Sequence, residues 1–406
     1  MSLTDRLRAA APTLQGDLVR LRRDLHRHPE IGLELPRTQQ VVLQALDGLG
    51  LEITRGSSLS SVTAVLRGRQ PGPAVLLRAD MDALPITEAT GLDHASQVDG
   101  VMHACGHDLH TAMLVGAARL LASHRDALRG DVVFMFQPGE EGFNGAGRMI
   151  EEGVLDAAGQ RVCSAYALHV RSYGTPRGQV TSRPGTVMAA FDELRVTVHG
   201  VGGHASMPHL GRDPVTAAAE MVTALQTLVT RRFNVFDPVV VTVGSFHAGD
   251  NVNTIPDTAS FAATVRTFSS ANQAVIRTEA RRLCAHIAQA YGLTAEVEYV
   301  QRYPVTVNDA QQYEFARRVV SEVLGPDRFT PMPFPVSAAE DFSRVLDEVP
   351  GCYVILGASA ADDPANAPVN HSPRAVFDDT VLSDGALLLA DLAAQALTRA
   401  AIPTPR

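Results

Sequence analysis

Asp131-Val132-Val133-Phe134-Met135-Phe136-Gln137-Pro138-Gly139-Glu140-Glu141 sets the architecture of this 406-residue chain. Its unbroken apolar run predicts a strand over 131–136 that is buried on both faces. Pro138-Gly139 then turns the chain, so Glu140 and Glu141 stand at the strand's carboxyl end. Similar apolar strands are predicted at 61–66, 74–77, 165–170 and 352–356, with helical periodicity over 109–121, 146–152 and 382–398. Leu3, Leu7, Leu14, Leu18, Leu21 and Leu25 open the chain with an amphipathic helix, interrupted at Pro12. Strands alternating with helices imply an α/β fold, a largely parallel mixed sheet flanked by helices. Such sheets collect ligands at the carboxyl ends of their strands.

The pattern changes near residue 188. Phe191, Leu194, Val196 and Val198 give a strand with one wet face, and Asp213-Pro214 reads as an N-cap followed by proline at the first helical turn. Strands at 238–245, 259–268 and 294–300 and a helix at 271–291 complete the order β-α-β-β-α-β of a ferredoxin-like α+β unit. Three stretches follow: 1–187 and 302–406 form one domain, and 188–301 is inserted into it.

A formal charge of −9 argues against nucleic acid or an anionic membrane as partner, so an anionic substrate has to be met by a local basic group. Cys105, Cys163, Cys284 and Cys352 form no CxxC pair and are too sparse for a disulfide framework. Residues 1–23 carry charge throughout and lack the apolar core of a secretory signal. The apolar C-terminal helix is broken by Asp384 and Asp391, which argues against a span. The chain therefore reads as cytoplasmic.

Chemistry concentrates in Met102-His103-Ala104-Cys105-Gly106-His107-Asp108-Leu109-His110. Thiolate, imidazole and carboxylate are the donors that zinc and its neighbours select. Alone, a Cys-x-His pair is usually a small buried thiol near a histidine. Three histidines crowd this one, and Glu140-Glu141 offers one carboxylate to ligate and a neighbour to take a proton. A Cys-His pair cannot complete a four-coordinate shell, so further donors must come from afar. His169 ends an apolar strand and His371 lies in Asn370-His371-Ser372-Pro373; either, taken singly, is an ordinary histidine. Asp80, in Arg78-Ala79-Asp80-Met81-Asp82, has two open roles: orienting a ligand histidine, or pairing with Arg78. His204, after Gly202-Gly203, and Asn253 and Arg266 are equally open.

Taken together, these runs resemble the metal-dependent aminoacylase/carboxypeptidase family, in the subgroup of hippurate hydrolases, N-acyl amino acid deacetylases and auxin-conjugate amidohydrolases. The resemblance rests on Leu25-His26-Arg27-His28-Pro29-Glu30, on 78–85 and 102–108, on Gln137-Pro138-Gly139-Glu140-Glu141-Gly142, on Gly202-Gly203-His204-Ala205 and on Ala339-Glu340-Asp341-Phe342. It spans residues near 21 to near 385 and implies an exopeptidase-like catalytic domain with an inserted lid and dimerisation domain. By resemblance, Cys105, His107, Glu141, His169 and His371 hold two divalent ions (zinc, manganese, cobalt or nickel), and Glu140 is the general base. His204 reaches the partner subunit's site in a homodimer, and Asn253 and Arg266 bind the substrate carboxylate. Leu109 and Arg374 depart from the usual residues and bear on substrate preference. The implied substrate is an N-acyl amino acid. The alternatives are a dipeptidase, aminopeptidase or carboxypeptidase on the same centre, or a non-catalytic metal-binding relative.

Overall fold

The computed structural model describes residues 1–400; residues 401–406, the tail of the last expected stretch, lie outside the described residues. The chain divides into two compact units. The first holds Met1–Val187, Val307–Phe334 and the chain from Arg344 onward, and the second holds Met188–Thr306 and Pro335–Ser343. The stretch 335–343, which the sequence leaves in the returning part, groups with the second unit because Ala189 N–H is shared by the carbonyls of Val336 and Ala338, both at 3.0 Å.

The first unit is built on an eight-stranded sheet ordered Glu52–Arg55, Val62–Leu66, Arg129–Gln137, Gln70–Asp80, Ser164–Arg171, Gly351–Gly357, Val180–Ser182, Phe329–Pro331. Its central four strands run parallel, while antiparallel pairings lie towards its edges. The sheet is thus mixed, with its apolar strands in the middle as their unbroken hydrophobicity requires. The edge strand Glu52–Arg55 is exposed along its length and has no hydrophobic period to reveal it.

The helices Leu3–Arg27, His107–Ala122 and Leu382–Ala400 bury Leu7, Leu18, Leu114, Leu388 and Leu392 in one core with the sheet. Pro12 does not interrupt the first helix, as had been expected. It is exposed, and buried Leu7 and Leu18 on either side hold the helix in the core. Asp379–Ala400 is long and apolar enough to cross a membrane, yet most of it is buried within this unit. Gly385 marks the tight crossing: a Cβ there would lie 2.3 Å from Met113 Sδ.

The second unit has the antiparallel order Val239–Ala248, Thr258–Thr267, Ala190–His199, Thr294–Tyr303. The helices Pro214–Arg232 and Ser270–Ala290 pack on it through Ala217, Met221, Ile276 and Cys284. Asp213 caps the first of these helices by accepting from Val215 N–H at 2.8 Å.

Candidate metal centre

The parallel strands of the first unit deliver polar side chains to one end. Gln70–Asp80 ends on Asp80, Arg129–Gln137 runs into Glu140-Glu141, and Ser164–Arg171 carries His169 near its end. Gly106 has φ +86°, and a Cβ on it would lie 2.4 Å from Val170 Cγ2, so only glycine makes this turn. The turn starts the helix at His107 itself, two residues earlier than the periodicity predicts. Cys105 sits just before it and His107 in its first turn.

Among the described residues, overlapping groups with donor atoms within 4.8 Å of one another include Cys105, His107 and His169; Cys105, Glu141 and His371; His107, Glu140 and Glu141; and Asp80, His107 and His110. Cys105 Sγ lies 3.4 Å from His169 Nε2, and His371 Nε2 lies 3.0 Å from Glu141 Oε1. Glu140, the expected base, is buried beside them. All six expected residues of this centre therefore meet.

Main-chain carbonyls decide how the rings are presented. His107 Nδ1 lies 2.8 Å from Asp82 O and His169 Nδ1 lies 2.7 Å from Val170 O. A carbonyl only accepts, so both Nδ1 atoms donate and both Nε2 atoms face the cluster. His107 Nε2 is buried with no hydrogen-bond partner. A buried nitrogen without a partner beside sulfur and carboxylate donors is the signature that a cation fits.

The electrostatics agree with donors crowded around one point. Contacts with Cys105 and Glu141 push His371 up to about 10. Burial drives His169 well below the ordinary imidazole range, helped by the nearby His110. Burial works against protonating His107, but the charges of Asp80 and Cys105 outweigh it and raise it well above that range. A cation arriving here displaces that proton, so binding weakens in acid.

Asp80 combines its two open roles in part. It pairs with Arg78 at 2.6 Å, and it also accepts from His110 Nδ1 at 2.5 Å. His110 is not one of the expected ligands, and Asp80 comes only within 3.6 Å of His107 Nε2. The residue that sequence reasoning missed is Asp82. Its two oxygens accept the main-chain N–H groups of Glu140 and Glu141, each at 3.0 Å, while its carbonyl holds His107. It fixes the turn that presents both glutamates. Only its place beside Asp80 after a strand hinted at this.

In the second unit, the ladder between Gly203–His204 and Thr254–Ile255 brings His204 Nε2 to 3.4 Å from the Asn253 amide, both side chains exposed. Ser206 N–H donates to His204 Nδ1 at 3.1 Å, which leaves Nε2 as the proton-bearing atom. Arg266 lies apart on Thr258–Thr267, its guanidinium 4.3 Å from the Phe191 ring centre. Burial works against its charge, and the Asp192 carboxylate offsets part of that.

Known proteins carry the same frame. Thermostable carboxypeptidase 2 of Saccharolobus solfataricus is 36% identical over 397 residues, covering 97% of this chain and 98% of its own. N-acetyl-L-cysteine deacetylase of Bacillus subtilis is 36% identical over 389 residues, covering 95% and 89%. The crystal structure of the Bacillus subtilis YXEP protein, described as a dinuclear metal-binding peptidase, matches with a TM-score of 0.82 at 31% identity, covering 95% and 99%. The model of peptidase family M20/M25/M40 matches residues 76–395, a span that includes every residue of the cluster. With its donors gathered at the carboxyl ends of a mixed sheet, the chain belongs to this peptidase family and is a metal-dependent hydrolase of amide bonds.

Proposed function

We propose that the protein hydrolyses N-acyl amino acids, releasing a carboxylic acid and a free amino acid. The observation that carries this reading is the meeting of Cys105, His107, Glu141, His169 and His371 around Glu140. Two divalent cations, zinc, manganese, cobalt or nickel, would be held by the five donors, with the Cys105 sulfur common to two of the groups. When bound, such ions acidify water and polarise the amide carbonyl.

The chain's own residues do the rest. Glu140 takes the proton of the attacking water and passes it to the leaving nitrogen. Asp82 holds that glutamate in place through its main-chain N–H. His204 Nε2–H donates to the oxyanion in the partner subunit of a homodimer. Arg266 and Asn253 receive the substrate carboxylate, Arg266 supplying positive charge in a chain of formal charge −9.

The likeness to a carboxypeptidase favours a second reading, hydrolysis of peptides at their carboxyl-terminal residue. Assaying N-acetyl, N-benzoyl and indole-acyl amino acids beside unblocked dipeptides, with each metal added, separates the two. Blocked substrates should be cleaved at least tenfold faster in kcat/KM, a difference of about 1.4 kcal/mol. Equal or faster cleavage of the unblocked dipeptides overturns the first reading.

A further inference from the structure

The loop between Gly351–Gly357 and the last helix carries Asn370 immediately before His371, and its side chain is placed unusually well for an amide. Nδ2 lies 3.2 Å from Cys105 O and 3.1 Å from Val170 O. The Cys105 sulfur lies 3.9 Å from the same nitrogen. Oδ1 accepts the main-chain N–H of buried Ser172 at 2.9 Å. These partners fix the orientation of the amide without ambiguity. A main-chain N–H only donates and a carbonyl only accepts, so oxygen must face Ser172 and nitrogen must face the two carbonyls.

Each contact touches a segment that bears an expected ligand. The Val170 carbonyl also accepts His169 Nδ1–H, at 2.7 Å, and so turns His169 Nε2 towards sulfur. On the other side, His371 N–H donates to Ala104 O at 2.9 Å, so residues 370–371 are pinned rung by rung to 104–105. His371 also holds φ +69°, a left-handed conformation that costs energy in a histidine and persists only where its surroundings enforce it. The Asn370 amide is part of that enforcement.

We infer that Asn370 is a positioning residue of the metal centre: its two N–H groups, given to the Cys105 and Val170 carbonyls, cross-link the segments of Cys105, His169 and His371 and hold the Cys105 sulfur in place. The inference rests on the metal-centre reading above. Orienting partners of ligands typically account for about 10–100-fold in metal affinity, and by fixing where a ligand stands they tune how it donates.

Cobalt(II) tests it, because a cysteine thiolate bound to cobalt gives a charge-transfer absorption in the near ultraviolet. In the wild-type protein, adding cobalt should produce a band that Cys105→Ser abolishes. In Asn370→Leu, affinity measured against a competing chelator should fall about 10–100-fold and the band should shift or weaken. A merely structural asparagine would lower the melting temperature of the metal-free protein and leave both readings alone. Affinity within about twofold of wild type with an unchanged band overturns the inference while the metal centre stands. Absence of a Cys105-dependent band in the wild-type protein overturns the metal centre and the inference together. Should Asn370→Leu not fold, Asn370→Ser, which also cannot bridge both carbonyls, is read by the same two measurements.

Discussion

Two buried histidine clusters flank the turn at 103–110, and they are built on opposite rules. On one side, His26 Nδ1 meets Asp108 Oδ2 at 2.8 Å, His26 Nε2 meets Glu88 Oε1 at 3.3 Å, and Arg22 Nε meets the same Asp108 oxygen at 2.7 Å. Both ring nitrogens and the guanidinium face carboxylates. On the other side, His107 Nε2 has no hydrogen-bond partner and His169 Nε2 faces a sulfur. Asp108 and His107 are consecutive residues, so one helical turn serves both. What separates the two is how His26 and His107 are satisfied: His26 and Arg22 are matched to carboxylates, while His107 Nε2 is left open among sulfur and carboxylate donors. Asp108 Oδ1 and both nitrogens of His103 also lack hydrogen-bond partners, but no group of metal-binding donors gathers around them among the described residues.

If that contrast holds, damage to the two clusters must be different in kind. Glu140→Gln keeps the shape of the reactive side but cannot shuttle a proton, so kcat should fall about 10²–10⁴-fold while metal affinity stays within a few-fold. Steady-state rates and metal titration check it; a variant retaining most of its rate removes Glu140 from the role of base. Mixed dimers of Glu140→Gln with His204→Ala should regain part of the activity, since one site then keeps both residues. No recovery on subunit mixing argues against the cross-subunit assignment.

The matched cluster should fail through stability instead. Arg22 and Asp108 have side chains 1% and 0% exposed, so Arg22→Met leaves an anion buried with its main countercharge gone. Breaking a buried pair in this way costs about 3–5 kcal/mol. Urea denaturation of the metal-free protein reads it directly. A loss under about 1 kcal/mol would mean that the two clusters are not distinguished by matching at all.

How much of this the sequence disclosed follows from how local each signal is. The apolar run 131–136 and the turn after it are adjacent in the chain, so the strand and its paired glutamates were legible. The donors of the metal centre were legible because their residue types are rare together, although His169 and His371 needed the company of the others. Asp82 was not legible, since its role consists of two hydrogen bonds to residues 58 and 59 positions away. Asn370 was hidden for the same reason, reaching 265 positions back to Cys105. The helix through Pro12 and the exposed strand Glu52–Arg55 exceed what periodicity can report, because tertiary packing overrules a local breaker and supplies a partner to a patternless edge.

The smallest effect gives the finest test of the matched cluster, through pH. Burial works against ionising Glu88, but His26, the Thr90 hydroxyl and the Ser96 N–H hold it charged and bring it down to about 2 from 4.5. Between those values the unfolded chain binds a proton that the folded chain refuses. Stability from this group is therefore present above pH 4.5 and lost as pH falls towards about 2. His26 runs the other way. Burial opposes its charge, yet Asp108 and Glu88 raise it above 6.5, so its contribution is complete below that pH and is lost as pH climbs through the raised value. Glu88→Gln should flatten the acid limb by about 1 kcal/mol, the scale of a partly solvated pair, and move the loss on the alkaline side to lower pH. The quantity to measure is the difference between wild-type and variant unfolding free energies, with chelator present, from pH 2 to 9. Protonation of the metal ligands is common to both proteins and cancels in that difference. Parallel profiles would show that Glu88 and His26 do not sense each other, and the matched cluster would then reduce to Arg22 and Asp108 alone.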